Sequence, residues 1–436
     1  MIPILRLADE SGRRHVEMLL NNLRLDPAAL VRGEEDAATK AVTATLRDVA
    51  ERGDEAVVAS ARRFDDPNFD ASMIRVSQEE MQQSAARITA GQRTALRRSI
   101  AQVREYQAAM MPKAPRAVER NGVHLAMRFT PLQSAGLYFP GGKASYPSTL
   151  IMLAVPAQVA GVKEIVVCSP PSRHGRSDLV LAACAELGLT QVFRAGGAAA
   201  IAAMAFGTQT IPRVNKIVGP GNKYVQLAKR ALGGAIGIDG FLGPSEILVL
   251  ADDSADASFI AADLIAQAEH DPGSCFLLTD SETLANRVAE QIAAQTPALS
   301  RATAIEKALR ESSAIVLGDS LDALISLANR FAAEHVNIQT RDDAAVLAKL
   351  QNAGAVFLGP FSPVAAGDYV AGPSHCLPTN TTARFASGVS VYEFLKRSSV
   401  VRYEKSGLAA DADAVIELAR AEGLDAHAAS IAQRIR

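Results

Sequence analysis

ILVLADDSADASFIAADLIAQAEHDPGSCFLL, Ile247–Leu278, is the stretch that decides the fold class. It opens on an apolar run at Ile247–Leu250 and closes on another at Cys275–Leu278, each of strand length and buried-strand composition. Between them, Asp256–Asp271 carries apolar residues at Phe259, Ile260, Leu264 and Ile265, the three-and-four spacing of a helix with one buried side. Pro272 and Gly273 stop that helix. Strand, helix, strand is the unit from which parallel sheets are built. Near the helix end, Gln267 and His270 project from the same side. An imidazole and an amide oxygen placed together can form half of a metal site, or simply a solvated helix end.

The same rhythm extends in both directions. Upstream, Glu164–Cys168, Gln191–Arg194 and Lys216–Val218 read as strands, with Leu179–Leu187, Ala198–Phe206 and Tyr224–Leu232 as helices. Downstream, Ala314–Leu317, Asn337–Gln339 and Ala355–Leu358 alternate with helices at Leu321–Phe331 and Asp342–Gln351. The first 64 residues read as helices: Glu10–Leu23, Glu34–Arg52 and a short one into Arg63. Ser77 with Glu80 is a capping-box pattern expected to open one long polar helix towards Met110. Val123–Phe129 and Gly136–Phe139 follow as strands. Gly359–Ala383, rich in Gly, Pro, Ser and Thr, reads as a long functional loop, and the helices Asp411–Ala421 and Ala426–Arg436 end the chain. The expectation is an α/β protein with parallel sheets covered by helices.

Composition narrows the function. At 436 residues and 48% hydrophobic, the chain can bury more than one core and should divide into domains. The net charge of −2, with acids and bases mixed, leaves no basic stripe for nucleic acid. The start, MIPILRLADE, lacks the pattern of a secretory leader, and the longest apolar run, Ala198–Phe206, is too short to cross a bilayer. Cys168, Cys184, Cys275 and Cys376 are scattered without a C-x-x-C, which suits a reducing compartment and excludes a thiolate zinc site. A soluble cytoplasmic protein without nucleic-acid or membrane partners is expected.

Three junctions carry glycine turns: YFPGGKAS (Tyr138–Ser145), RAGGAAAI (Arg194–Ile201) and VGPGNKYV (Val218–Val225). Such turns let backbone N–H groups approach a phosphate, although none fits G-x-G-x-x-G, and ordinary tight turns read the same way. Four of the seven histidines lie in the second half beside acid or glycine: His270, His335, His375 and His427. His15, His124 and His174 sit in polar surroundings and read as surface residues. Asp368, in AAGDYVAG, offers a carboxylate on a turn. Imidazole and oxygen ligands without sulfur suit Zn²⁺ or a similar ion. In Glu334-His335, a histidine could take a hydroxyl proton as hydride leaves, and the neighbouring acid could activate water.

Taken together, GLYFPGGKASYPS (Gly136–Ser148), KIVGPGNKYV (Lys216–Val225), GPSEILVLAD (Gly243–Asp252), DLIAQAEHD (Asp263–Asp271), AEHV (Ala333–Val336), AGDYVAGPSHCLPT (Ala366–Thr379) and AEGLDAH (Ala421–His427) resemble the histidinol dehydrogenase family. That resemblance implies two incomplete Rossmann-like domains with small helical N- and C-terminal domains in an intertwined homodimer. The implied division is residues 1–30, then 31–137 with 247–388, then an NAD-binding 138–246, then a dimerisation region 389–436. Gln267, His270, Asp368 and His427 match the family's zinc ligands, His427 reaching across from the partner subunit. Ser245, His335, His375 and Glu422 match substrate contacts, joined by the zinc ligands, and Glu422 too is expected across the interface. His335 matches the general base, Glu334 the water-activating acid, and Tyr138 and Asn222 the NAD contacts. The implied reaction takes L-histidinol through L-histidinal to L-histidine with two NAD⁺ in succession, zinc orienting the substrate.

The chain departs from the family pattern at Ala199, where a glutamine that contacts NAD is usual, and around Gly240-Phe241-Leu242 and Ser374. Those changes motivate an alternative, a related zinc- and NAD-dependent dehydrogenase of another small polar primary alcohol. A third reading, a metal-stapled binding module without chemistry, leaves Glu334 and His335 without a purpose.

Overall fold

The structure is a computed structural model, and it describes residues 2–24, 36–141, 146–171, 178–240, 243–270 and 273–436. His174, Phe241, Leu242, Asp271 and Pro272, part of the first glycine turn and the expected start of the second helix at Glu34 lie outside the described residues.

The chain begins with β1 (Ile4–Arg6), and β2 (Val118–Arg120) pairs antiparallel with β3 (Val123–Pro131). Strands β4 (Ser134–Tyr138), β5 (Glu164–Ser169), β6 (Gln191–Arg194), β7 (Lys216–Val218) and β8 (Gly237–Ile238) form a parallel sheet in the order β6-β5-β4-β7-β8. Strands β9 (Ser245–Ala251), β10 (Gly273–Thr279), β11 (Ala314–Leu317), β12 (His335–Gln339) and β13 (Ala355–Leu358) form a second parallel sheet, β1-β11-β10-β9-β12-β13. β14 (Leu395–Tyr403) returns to pair antiparallel with β3.

Every residue of β10 and β12 is buried because both sheet faces are covered, and this is why Cys275–Leu278 of β10 reads as an unbroken apolar run, whereas β12 buries the polar His335, Asn337 and Gln339 between its apolar residues. On one face of the six-stranded sheet, Ile247, Val249 and Leu277 pack with Ile260 and Leu264 of the helix Ala257–Ala268. On the other, Leu248, Leu250 and Phe276 pack with Leu20 and Phe331. The five-stranded sheet is enclosed in the same way, by clusters around Leu137 and Val167 and around Tyr138 and Val166. In each sheet the strand order reverses once, between β4 and β7 and between β9 and β12.

The helical N-terminus and the alternating strands follow the expected order, with five differences of detail. The capping box does not open one long helix. Ser77 caps Gln78–Arg87, and Thr89 with Gln92 forms a reciprocal capping box that starts a second helix, Ala90–Ala109. Helices Glu282–Gln295 and Ala302–Glu311 stand between β10 and β11. The long Gly/Pro segment contains a short helix, Val364–Tyr369, so Asp368 sits on a helix rather than on a turn. Finally, β1 joins the six-stranded sheet, which ties residues before 30 to that sheet. The helices of residues 37–109 pack instead on helices of the five-stranded sheet, although the expectation grouped them with the later half.

Candidate active site

Ser245 begins β9 and His335 begins the adjacent β12, with Glu334 just before it, so all three stand at the amino-terminal edge of the six-stranded sheet. Glu334 Oε2 accepts hydrogen bonds from Ser245 Oγ at 2.5 Å and from the Glu246 N–H at 2.9 Å. Burial raises the Glu334 carboxyl to about 8, with those two hydrogen bonds pulling the other way. His335 is 3% exposed. Its Nδ1 lies 3.0 Å from the Glu246 carbonyl oxygen, which can only accept, so Nδ1 carries the proton. Nε2 is then the basic nitrogen. It is buried without a hydrogen-bond partner and lies 3.9 Å from Asp368 Oδ1. Burial lowers the basicity of His335, and the Asp368 carboxylate opposes that.

Asp368 is placed by contacts on either side of it. A Cβ on Gly367 would stand 2.7 Å from the Phe357 ring, so only glycine lets the short helix lie against β13. Ser99 Oγ donates to the Tyr369 carbonyl at 2.5 Å and pins the other side. The Asp368 carbonyl accepts from His375 Nδ1 at 2.8 Å, and His375 Nε2 accepts from Thr149 Oγ1 at 3.0 Å. Both ring nitrogens of His375 are therefore occupied. Thr149 belongs to the helix Pro147–Ala160 of the five-stranded half, so this bond joins the two halves at the site. Gln267, 3% exposed in the last turn of the helix Ala257–Ala268, has a buried Nε2 without a partner. His270 lies just beyond that turn, within electrostatic reach of Asp368 and His335.

Within one chain, Ser245, Gln267, His270, Glu334, His335, Asp368 and His375 gather along one edge, whereas Glu422 and His427 do not join them. Those two are exposed, Glu422 capping the end of the helix Lys405–Ala421 and His427 in the helix Asp425–Ile435; the two helices pack on each other and the first also on β14. Among the described residues no three His, Cys, Asp or Glu side chains form a metal-holding group. A set made of one amide, one imidazole and one carboxylate, lacking its fourth member, would not form such a group. The donors present nevertheless fit a divalent ion: nitrogen and oxygen ligands, and a buried amide whose hydrogen bonding is incomplete. All four cysteines are free and buried, with thiols raised by burial, so none offers a thiolate.

The second cluster stands at the carboxyl edge of the five-stranded sheet. Tyr138 ends β4 and Gly219 follows β7, the two strands at which the order reverses. Ligands of open parallel sheets bind in the crevice outside such a reversal. The Tyr138 hydroxyl accepts from the Gly197 N–H at 3.1 Å, tying two glycine turns together, and burial raises that phenol. Asn222 caps the helix Lys223–Leu232, its side chain accepting from the Tyr224 and Val225 N–H groups. A Cβ on Gly219 would stand 1.8 Å from the Tyr138 carbonyl oxygen, so the turn closes against the end of β4 only through glycine. This cradle fits a dinucleotide. Ala199 is 1% exposed inside the helix Gly197–Phe206 and offers no polar contact there.

Glu246 and Thr149 were not singled out by sequence, because each acts through a partner remote in the chain. Glu246 is 1% exposed, and its Oε1 accepts from the Asn380 N–H at 2.8 Å, while Oε2 is buried without a partner. Burial raises its carboxyl to about 8, and the nearby Glu334 raises it further. The position of this acid beside Ser245 was the one available signal.

Comparisons with known proteins point to one family. The histidinol dehydrogenase family model matches residues 31–435. The chain is 44% identical to a histidinol dehydrogenase of Carboxydothermus hydrogenoformans, over 96% of this chain and 99% of that protein. It is 43% identical to one of Gluconobacter oxydans, over 92% and 94%. The crystal structure of histidinol dehydrogenase from Elizabethkingia anophelis superposes with a TM-score of 0.92 at 32% identity, covering 100% of this chain and 98% of that one.

Proposed function

The chain belongs to the histidinol dehydrogenase family, and from that premise we propose that it oxidises L-histidinol through L-histidinal to L-histidine, with two NAD⁺ consumed in turn. The observation that carries the chemistry is His335: buried, its Nδ1 proton committed to the Glu246 carbonyl, its Nε2 free. In each oxidation Nε2 takes the hydroxyl proton as hydride departs. The imidazolium so formed is stabilised by the Asp368 carboxylate, 3.9 Å away. Between the oxidations the aldehyde must be hydrated. Glu334, whose carboxyl burial raises to about 8, takes the proton of the attacking water in its ionised form, the minor form at neutral pH and the major one above pH 8. Ser245 and the Glu246 N–H hold that carboxylate in place. The burial of Glu334 and His335 keeps bulk water from the reacting carbon.

Gln267, His270, Asp368 and the partner subunit's His427 would hold Zn²⁺, which when bound orients the substrate's imidazole and amine. Tyr138, Asn222 and the glycine turns would hold NAD, which accepts the hydride. Without a polar side chain at position 199, one hydrogen bond to the dinucleotide is absent, worth about 1 kcal/mol. Ser245, His375 and the partner subunit's Glu422 would complete the substrate's polar contacts. The exposure of Glu422 and His427 on an arm carried by β14 supports a homodimer in which that arm reaches the neighbouring site. Four buried free thiols suit the reducing cytoplasm.

Steady-state turnover of L-histidinol, set beside other amino and sulfonated primary alcohols, tests the proposal. Preference for histidinol is expected. Turnover of another alcohol with none of histidinol would transfer the assignment to that substrate.

A further inference from the structure

The mechanism leaves one fully buried ion pair unused. Lys229, in the helix Lys223–Leu232, and Asp239, just after β8, face each other with both side chains wholly out of solvent. Neither is spent on the elements that carry it. Lys229 Nζ donates to the Gly219 carbonyl oxygen at 3.0 Å, and Asp239 Oδ2 accepts from the Gly219 N–H at 2.6 Å. The pair thus grips both backbone polar groups of one residue. That residue stands at φ +126° at the strand-order reversal, packed against the Tyr138 carbonyl. Two residues on from Pro220 is Asn222, the expected cofactor contact. Cys376, next to His375, lies within electrostatic reach of Lys229, Asp239 and Glu334, so the pair sits where the turn meets the catalytic segment.

Removing two charges from water is expensive, and apolar residues of similar volume usually serve stability at least as well. What an apolar pair cannot do is fix the N–H and C=O of a glycine that is otherwise free to rotate. We propose that Lys229 and Asp239 are positioning residues for the cofactor: they hold Gly219 in the one conformation that presents the turn 219–222 to NAD. The inference rests on the reading that this turn binds NAD.

Three variants separate positioning from stability, each examined as the zinc-loaded protein by calorimetric titration with NADH and by steady-state kinetics. K229M leaves a buried carboxylate unpaired and should be the least stable. K229M/D239L removes both charges together with the grip on Gly219. K229M/D239N removes the charges but keeps an acceptor for the Gly219 N–H. K229M/D239L is expected to fold, to bind NADH about tenfold more weakly and to raise KM for NAD by a similar factor, since two backbone hydrogen bonds are lost. KM for histidinol and zinc content should stay unchanged, and K229M/D239N should recover part of the affinity. A folded K229M/D239L with wild-type NADH affinity would overturn the proposal. N222A tells the two failures apart. If N222A weakens NADH binding while the pair variants do not, the positioning role alone falls. If none of them does, the cofactor reading of the turn falls with it.

Discussion

Glu246→Gln probes the electrostatics of the site without touching its shape. Glu246 and Glu334 are both carboxyls raised to about 8 by burial, against an ordinary value near 4.5, with Glu334 adding to the resistance of Glu246 to ionisation and Asp368 to that of Glu334. The folded chain therefore holds protons that the unfolded chain has released. Their contribution to stability is complete below about pH 4.5 and is lost as pH rises through 8. His270, His335 and His375, lowered by burial, act in the opposite sense, mainly below their ordinary value of 6.5, and their effect fades as pH rises above 7. Between pH 7 and 8, each carboxyl should then cost the folded state about 1 kcal/mol per pH unit, near the limit of 1.4 for one proton. Glutamine keeps an oxygen to accept the Asn380 N–H and removes one of the two protons from the balance. Urea denaturation followed by circular dichroism, at one fixed protein concentration and half-unit pH steps from 7 to 8.5, measures both slopes. Between pH 7 and 8 the slope of the wild type should be steeper than that of E246Q by about 1 kcal/mol per pH unit, the four buried thiols adding the same loss to both proteins as pH rises further. Equal slopes would refute the reasoning, because Glu246 would then be ionised in the folded protein at neutral pH.

H335Q should lower kcat for histidinol by about 10² to 10⁴, the usual contribution of a positioned base, with NADH affinity measured by calorimetry unchanged. E334Q should retain the first oxidation better than the second, so trapping with an aldehyde reagent should find more histidinal than with the wild type; an unaltered product ratio would remove Glu334 from the water step. H427A should lose zinc while keeping the wild-type circular dichroism spectrum, and full metal occupancy would show that His427 is not a ligand. Mixing inactive H335A and H427A dimers and letting subunits exchange should restore about a quarter of wild-type activity, since half the dimers then carry one intact site. No recovery despite exchange would place His427 within its own subunit's site.

The parts of the fold open to reading were those whose burial is uniform. Ile247–Leu250 of β9 and Cys275–Leu278 of β10 are wholly apolar because helices cover both faces, so the residues themselves announce a parallel sheet. β1 is three residues long and makes sense only beside β11, a partner more than 300 residues away. The break between the helices ending at Arg87 and starting at Ala90 is set by the Thr89–Gln92 capping box, which a continuous polar pattern conceals. Asp368 was readable as a candidate but not its support, because the helix Val364–Tyr369 exists by packing Gly367 on Phe357.

For the site, residue type and spacing alone left Gln267 with His270 and Glu334 with His335 undecided between function and solvated surface. The spaced segments shared with a family assembled them. What no spacing could reveal are the bonds that give each side chain its protonation: the Glu246 carbonyl on His335, Thr149 on His375, and the Lys229–Asp239 grip on Gly219. Each joins elements that meet only in the folded chain.

One site, with His335 as its base, is expected to carry histidinol through both oxidations. The yield of NADH per L-histidinol consumed by the purified protein decides this. Two NADH per histidinol are expected, with histidine as the product. One NADH per histidinol with histidinal accumulating, or no NADH at all, would contradict it.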